Sequence, residues 1–509
     1  MTRSPALLPL LALLACSGEG VDAPVLPALP DRVSREELPP PEAERPVQEL
    51  VITLTGEVRG EVKPCGCPTT PYGGFARRAR LLERIRAQGL PTFVLDAGEM
   101  LVKGLRNEAT PDRTARATTV LRLATELGLD AWAPARMDVE ALGPAGVLAS
   151  PGVCARPEDL GLKLPAARVI ERDGVRLGVL GLAGSDALRA TPGAAVEALR
   201  AAMTNLTADA WVLLSNADEN VNTAVAEQVK GLGAVLATRG AQHDASRTTA
   251  GAPVIEAPDR GRYLTVLHVA LGADHGPWSL VEGGAWERYA SERSMLGVAP
   301  PATREAVARR VATLRAEVAP QMPGRRLVQV EDLPLGSDLD GASTLDATLR
   351  AWANQSEADA ERRAQTPSSR AGAYAGTGSC ARCHADRLAA WTFHPHAKAY
   401  GTLLSRGAGQ DPECLGCHTT GWGQAGGYGE PTPAALRTWK GVQCEACHGP
   451  LGAHPDPQRG APKVTEAACR RCHDEANSPQ FDYASYLART SCTMVSAQDA
   501  TPPAESPLR

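Results

Sequence analysis

Eight cysteines and four histidines of this 509-residue chain fall into one repeated pattern, Cys-x-x-Cys-His. The copies are Cys380-Cys383-His384, Cys414-Cys417-His418, Cys444-Cys447-His448 and Cys469-Cys472-His473. The spacing suits one reaction. Two thiols add across the two vinyl groups of one haem, and the adjacent imidazole reaches the iron from the same face. Zinc ribbons also use Cys-x-x-Cys pairs, but zinc leaves the His after every second Cys unexplained. The pattern therefore predicts four c-type haems, attached through these cysteines and held proximally by His384, His418, His448 and His473.

Each iron has a second axial position. Three more histidines lie in the same stretch: His394, His396 and His454. They are the distal candidates. Four irons need four distal ligands, so at least one iron is expected to be open, Met-ligated through Met494, or served from elsewhere in the chain. Bis-His ligation lowers the reduction potential, whereas an open iron binds small molecules. At this point carrier and enzyme diverge.

The chain has 13 cysteines. At the N-terminus a short basic start precedes an apolar stretch, Ala6 to Ala15, which is too short to span a bilayer and suits a signal-peptide core. It runs into Leu13-Leu14-Ala15-Cys16-Ser17-Gly18, a lipobox-like end that predicts acylation of Cys16 and anchoring by lipid. Residues 1–15 are then the leader. Haem attachment follows export, so both signals place the protein on the periplasmic side. Ser17 and Gly18 favour the outer membrane. Residues 16–47 are Pro- and charge-rich and read as an extended tether. Subtracting Cys16 and eight motif cysteines from 13 leaves Cys65, Cys67, Cys154 and Cys492. Cys65-Gly66-Cys67 is suited equally to a strained, redox-active or metal-binding pair and to a plain structural disulfide.

Between tether and haem motifs, strands and helices alternate, which predicts an α/β unit over residues 48–295. Val51–Leu54, Thr92–Leu95, Ala210–Leu214, Ala234–Thr238 and Arg262–Leu271 read as strands, and an Asp173-Gly174 turn between Val169 and Leu182 reads as a hairpin. Helices are expected over Gly73–Gln88, with its arginines facing out, and over Asp112–Leu127, Ala194–Asn205 and Thr223–Leu232. His268 lies in a strand-like run and reads as a satisfied core residue. His243 and His275 also fall in this unit. Residues 296–370 read as a helical connector, with an amphipathic helix over Thr303–Val318 and another over Leu345–Arg363. The haem region spans 371–490 and a tail 491–509. Aromatics make up 4% of the chain, so the haems must supply much of the haem region's apolar core. A net charge of −5 gives no support to nucleic-acid binding.

Two resemblances follow from these residues. Trp391-Thr-Phe-His394-Pro-His396-Ala-Lys-Ala, Glu413-Cys-Leu-Gly-Cys-His418-Thr-Thr-Gly421 and Gly441-Val-Gln-Cys-Glu-Ala-Cys-His-Gly-Pro450 resemble the tetrahaem cytochrome c family of the hydroxylamine-oxidation pathway. That resemblance implies a mainly α, haem-packed domain with mostly bis-His irons, and favours His396 and His454 over His394 as distal ligands. The run from Val51 to Glu99 resembles the 5'-nucleotidase and calcineurin-like metallophosphatase domain, which implies a four-layer sandwich with a two-metal site at the strand ends. Here the expected metal ligands are replaced, by Glu57-Val58-Arg59, Gly98-Glu99, Ala135-Arg136-Met137 and Asn216. Arginine has no lone pair for a cation, so the resemblance implies a degenerate scaffold. The leading expectation is an exported, lipid-anchored tetrahaem electron carrier whose partner is a redox protein or quinone-linked. The alternatives are a haem oxidoreductase acting on a small nitrogen or sulfur species at an open iron, and a phosphohydrolase fused to a cytochrome.

Overall fold

The computed structural model describes residues 47–64, 71–102, 113–238, 246–247, 250–281, 283–322, 324–365, 374–404, 412–422, 437–452, 463–473 and 480–490, with residues 409, 424, 426–428 and 478 between them. Among these residues two six-stranded sheets form the first part. One has the order β11 (Ser279–Leu280), β12 (Arg326–Pro334), β10 (Tyr263–Leu271), β1 (Gln48–Thr55), β2 (Thr92–Asp96), β3 (Ala131–Trp132). The other has the order β4 (Ala167–Arg172), β5 (Val175–Leu182), β6 (Ala210–Ser215), β7 (Ala234–Thr238), β9 (Val254–Ala257), β8 (Ser246–Arg247). Leu50, Ile52, Leu54 and Leu267 of the first sheet share one buried layer with Leu177, Val179, Val212 and Leu214 of the second. Strand β1 is buried on both faces, which explains its continuous apolar run.

Helices form the outer layers. On the first sheet lie α1 (Phe75–Arg86) and α2 (Arg113–Glu126), through Leu82, Ile85, Val120 and Leu123. Short helices α3 (Arg136–Leu142), α4 (Pro144–Leu148) and α5 (Asp186–Ala190) lead to α6 (Pro192–Met203) and α7 (Glu219–Gln228). These last two cover the second sheet through Val196, Leu199, Val221 and Val225. The arrangement is the expected four-layer α/β sandwich. The β4–β5 hairpin turns at Asp173 (φ 49°) and Gly174 (φ 80°), the two positive-φ positions of a tight hairpin turn.

Two features differ from the expectation. The first is the boundary at 295. Helices α8 (Gly284–Leu296) and α9 (Pro301–Val318) pack Tyr289, Val307 and Val311 against Ala270 and Leu327. Strand β12 then pairs antiparallel with all of β10, from Tyr263↔Pro334 to Leu271↔Arg326. The stretch through Pro334 therefore completes the first sheet rather than connecting domains. Helix α10 (Asp346–Gln365) follows, with Leu345 buried in the core below α1 and α2. The second concerns the α1 arginines, which do not all face out. Arg77 and Arg78 are buried, and Arg77 donates to Asp340 Oδ1 at 2.7 Å and to Leu335 O at 3.0 Å.

The last part is mainly helical: α11 (Thr377–Cys380), α12 (Ala385–Phe393), α13 (Pro395–Leu404), α14 (Pro412–His418), α15 (Cys444–His448), α16 (Glu466–Arg470) and α17 (Tyr483–Arg489). Its protein core is small and centred on Tyr400, Leu403, Leu415 and Tyr428. Polar latches supplement it. The buried Glu445 carboxylate accepts from the amides of Ala375 (2.9 Å), Gly376 (2.8 Å) and Leu451 (2.8 Å). Thr420 donates to Gly441 O and accepts from the Gln443 amide. No helix among the described residues is long and apolar enough to cross a membrane.

Candidate functional site

Each Cys-x-x-Cys-His motif sits on a turn of helix, and the spacing of three brings its two thiols to one side. In the first motif the amides of Cys383 and His384 donate to Cys380 O at 3.2 and 2.9 Å. In the fourth, those of Cys472 and His473 donate to Cys469 O at 3.0 and 2.9 Å. All eight motif cysteines have some exposure. Cys417 and Cys472 lie together. A hydrogen bond between them, followed by burial, pushes the Cys472 thiol well above its ordinary value.

The imidazoles carry the clearest signature. His418 Nδ1 lies 2.7 Å from the Ala399 carbonyl, which can only accept. The proton is therefore on Nδ1, and Nε2 carries the lone pair that a metal needs. His473 Nδ1 pairs with the Ser478 hydroxyl at 2.8 Å, which permits the same tautomer. The His473 ring is also fixed by stacking on Phe481 (centroids 5.3 Å apart, planes 12° apart) and by the edge of Tyr486 at 5.2 Å.

Of the distal candidates, His396 comes to the fourth motif. Its ring centroid lies 6.0 Å from that of His473. Two imidazoles sharing one metal have centroids roughly 6 Å apart, from two metal–nitrogen bonds of about 2 Å plus the ring radii. Burial first, then the neighbouring His394 and His473, hold the His396 pKa down to about 4, so the ring is neutral and able to ligate near pH 7. His394 lies 4.7 Å from His396, but its Nδ1 accepts the His396 amide at 3.1 Å. His454, Cys16, Cys65, Cys67, Cys492, Met494 and His243 lie outside the described residues. The described motif residues thus fit haem through the exposure of their cysteines and the tautomer of His418.

In the first part, Glu57, Arg59 and Glu99 come together. The loops after β1 and β2 are zipped by three backbone bonds, Glu57 N to Gly98 O, Arg59 N to Glu99 O and Gly60 N to Met100 O, at 2.8 to 3.0 Å. Arg59 lies 2.8 Å from Glu57 and 3.5 Å from Glu99. A fixed guanidinium thus lies where cation ligands are expected. Glu57, Arg59, Glu99 and the nearby Arg260 all have positive φ, between 50° and 58°. Such strain concentrates at functional loops. A Cβ on Gly98 (φ +111°) would lie 2.2 Å from Ala133 O, so the crossing admits only glycine. Asn216 ties the strand ends together, donating to Ala97 O and Ala133 O and accepting from the Gly184 amide. Among the described residues no group of three or more His, Cys, Asp or Glu is placed to hold a metal ion.

Buried carboxylates lie beside this site. Burial lifts Asp96 to about 6, although it accepts from Thr55 and the Gly98 amide. It lifts Asp138 to about 7, although that group accepts from the Leu101 and Ala135 amides. Sequence reading missed Asp138 and Glu445, because a single acidic residue beside polar neighbours looks like exposed surface. It also misjudged His268, which is buried but whose Nε2 makes no hydrogen bond. Burial holds its pKa down to about 4. His275 pairs with Arg326 at 3.1 Å, and Cys154 is buried, with burial raising its thiol pKa.

Known proteins resemble the two parts separately. Residues 379–449 match the family model described as cytochrome c554 and c-prime. Cytochrome c-554 of Nitrosomonas europaea is 35% identical over 92 residues, which is 15% of this chain and 38% of that protein. Among solved structures, a 5'-nucleotidase precursor from Thermus thermophilus aligns with TM-score 0.41 and 17% identity, covering 63% of this chain and 61% of its own. The calcineurin-like phosphoesterase YfkN from Bacillus subtilis aligns with TM-score 0.41 and 14% identity, covering 62% of this chain and 98% of its own. The sandwich reading rests on the strand order and registers above. The C-terminal region, through its four attachment motifs and the match over 379–449, resembles the cytochromes c554, and the covalent haem of a c-type cytochrome is what that resemblance implies.

Proposed function

We propose that this chain is an exported, lipid-anchored c-type cytochrome that binds four haems and carries electrons, with the α/β sandwich as a scaffold that has lost its hydrolytic metal site. Four attachment motifs within 94 residues, Cys380 to His473, carry the reading. Cys380/Cys383, Cys414/Cys417, Cys444/Cys447 and Cys469/Cys472 would hold the four groups as thioethers, and His384, His418, His448 and His473 would bind the irons. Bound haem supplies one-electron exchange between ferric and ferrous iron. The protein's part is to hold the His418 imidazole in the ligating tautomer through Ala399 O, and to give His473 a partner, Ser478, that permits the same tautomer. Phe481 and Tyr486 fix the His473 ring. Cys16 would carry the acyl anchor, which places the protein at the periplasmic face of a membrane, with a redox protein or a quinone-linked enzyme as partner.

The test is a reductive titration of the exported holoprotein. The carrier takes up one electron per motif, four per chain, and returns them to an added one-electron oxidant with no other product. Steady turnover of a small nitrogen or sulfur species would establish the oxidoreductase reading instead. That second reading is favoured by one observation: the region has fewer histidines outside the motifs than it has motifs.

A further inference from the structure

His394 stands between two helices and serves both. Its amide closes α12 on Trp391 O at 2.9 Å, and its backbone is extended (φ −70°, ψ 146°). Pro395 opens α13 and has no N–H, so the first amide that needs a partner is that of His396. His394 Nδ1 accepts it at 3.1 Å. This is the geometry of a helix N-cap, with an imidazole nitrogen in place of the usual Ser or Asp oxygen.

The cap fixes the tautomer. A nitrogen that accepts N–H carries no proton, so the neutral ring holds its proton on Nε2. A ligand bound through Nε2 needs the reverse, as His418 shows with Nδ1 protonated towards Ala399 O, and the Nδ1 lone pair of His394 is taken by the His396 amide. The His394 ring also donates to the backbone carbonyl of Arg489, the last residue of α17. That helix carries Tyr486 against the His473 ring. From the other side, the His396 carbonyl accepts the Val442 amide at 2.9 Å.

We infer that His394 is a positioning residue, a cap that sets His396 opposite His473, and not an iron ligand. Only His396 and His454 then remain as distal histidines in residues 371–490. Two of the four irons therefore have no histidine from this region on their distal side. Their distal sides are left to Met494, to a ligand from elsewhere in the chain, or to a small donor such as nitric oxide or cyanide. The inference rests on the haem reading above.

The experiment is electron paramagnetic resonance with spin quantitation on the exported full-length ferric protein, with haem counted in each sample. Wild type is expected to show two bis-His low-spin haems. His394→Ser keeps a capping oxygen and cannot ligate; it should retain all haem and the same two low-spin signals. His394→Ala removes the cap and should shift the g-values of one of those signals without changing their number. A His394→Ser protein that converts one low-spin haem to high-spin with haem content intact would overturn the inference and make His394 a ligand. Three bis-His signals in wild type, one of them lost in His394→Ser, would overturn it as well. His396→Ala is the control and should remove one bis-His signal. If it changed nothing, the ligand reading of His396 would fall, and the positioning role with it.

Discussion

The chemistry of single residues explains how this chain separates two kinds of site. Arg59 is a permanent cation, and its position between Glu57 and Glu99 places a positive charge where a divalent metal would need open lone pairs. Arg59→Ala should lower stability by about 1–2 kcal/mol, since the pair is largely but not fully buried, as read by the thermal midpoint. Phosphate-ester hydrolysis in added Mn²⁺ should stay at background in wild type, and Glu57→Ala with Glu99→Ala should change nothing. Asp96 gives a pH-dependent signature. Its folded pKa is raised from 3.8 to about 6 by burial, so the folded state favours the protonated acid. That contribution is complete below pH 3.8 and disappears as pH rises through about 6, by roughly 3 kcal/mol at about 1.4 kcal/mol per unit. Asp138 acts in the same sense up to about pH 7. Asp96→Asn can still accept from the Gly98 amide and donate to Thr55, so it should flatten the fall in thermal midpoint between about pH 4 and 6. An unchanged slope would show that Asp96 ionises freely. The buried carboxylates and the ion pair were not legible in the sequence. The substitutions at 57, 59 and 99 were visible, but the ion pair that joins them depends on loops 40 residues apart being zipped by backbone bonds.

Local pattern was a good guide to elements wherever it was long or strongly punctuated. The buried run of β1, the Asp173-Gly174 hairpin and the α9 stripe all appear as read. Strand β12 was not legible. It returns to pair with β10 only after two intervening helices, and its partner is fixed by packing rather than by any local signal. Strands β3 and β11, of two residues each, are too short to show a period. In the haem region the motifs were plain and the latches were not. Glu445 looks like a surface charge between two motif cysteines, yet its carboxylate holds the amides of Ala375, Gly376 and Leu451. Glu445→Ala leaves three buried or half-buried donors without that partner and should cost about 3 kcal/mol. Limited proteolysis should then cut near residue 375 at a protease concentration that leaves wild type intact. Equal resistance of the two proteins would mean the latch contributes little.

Over the whole molecule, the two parts differ in what holds them together. The sandwich has apolar layers between its sheets and on both outer faces. Among its described residues, the haem region has one small cluster and a set of polar latches. A chain with all eight motif cysteines changed to Ala should therefore keep the sheet signal in circular dichroism and lose the helical structure of residues 374–490. Retention of both would show that the protein core suffices. At the other end of the chain, Cys16→Ser should move the protein from the membrane to the soluble periplasmic fraction. The measurement closest to the centre of the account is a quantitative pyridine haemochrome on protein exported with its own leader. Four covalent haems per chain are predicted. No haem, or zinc bound in its place, would contradict the account at its root.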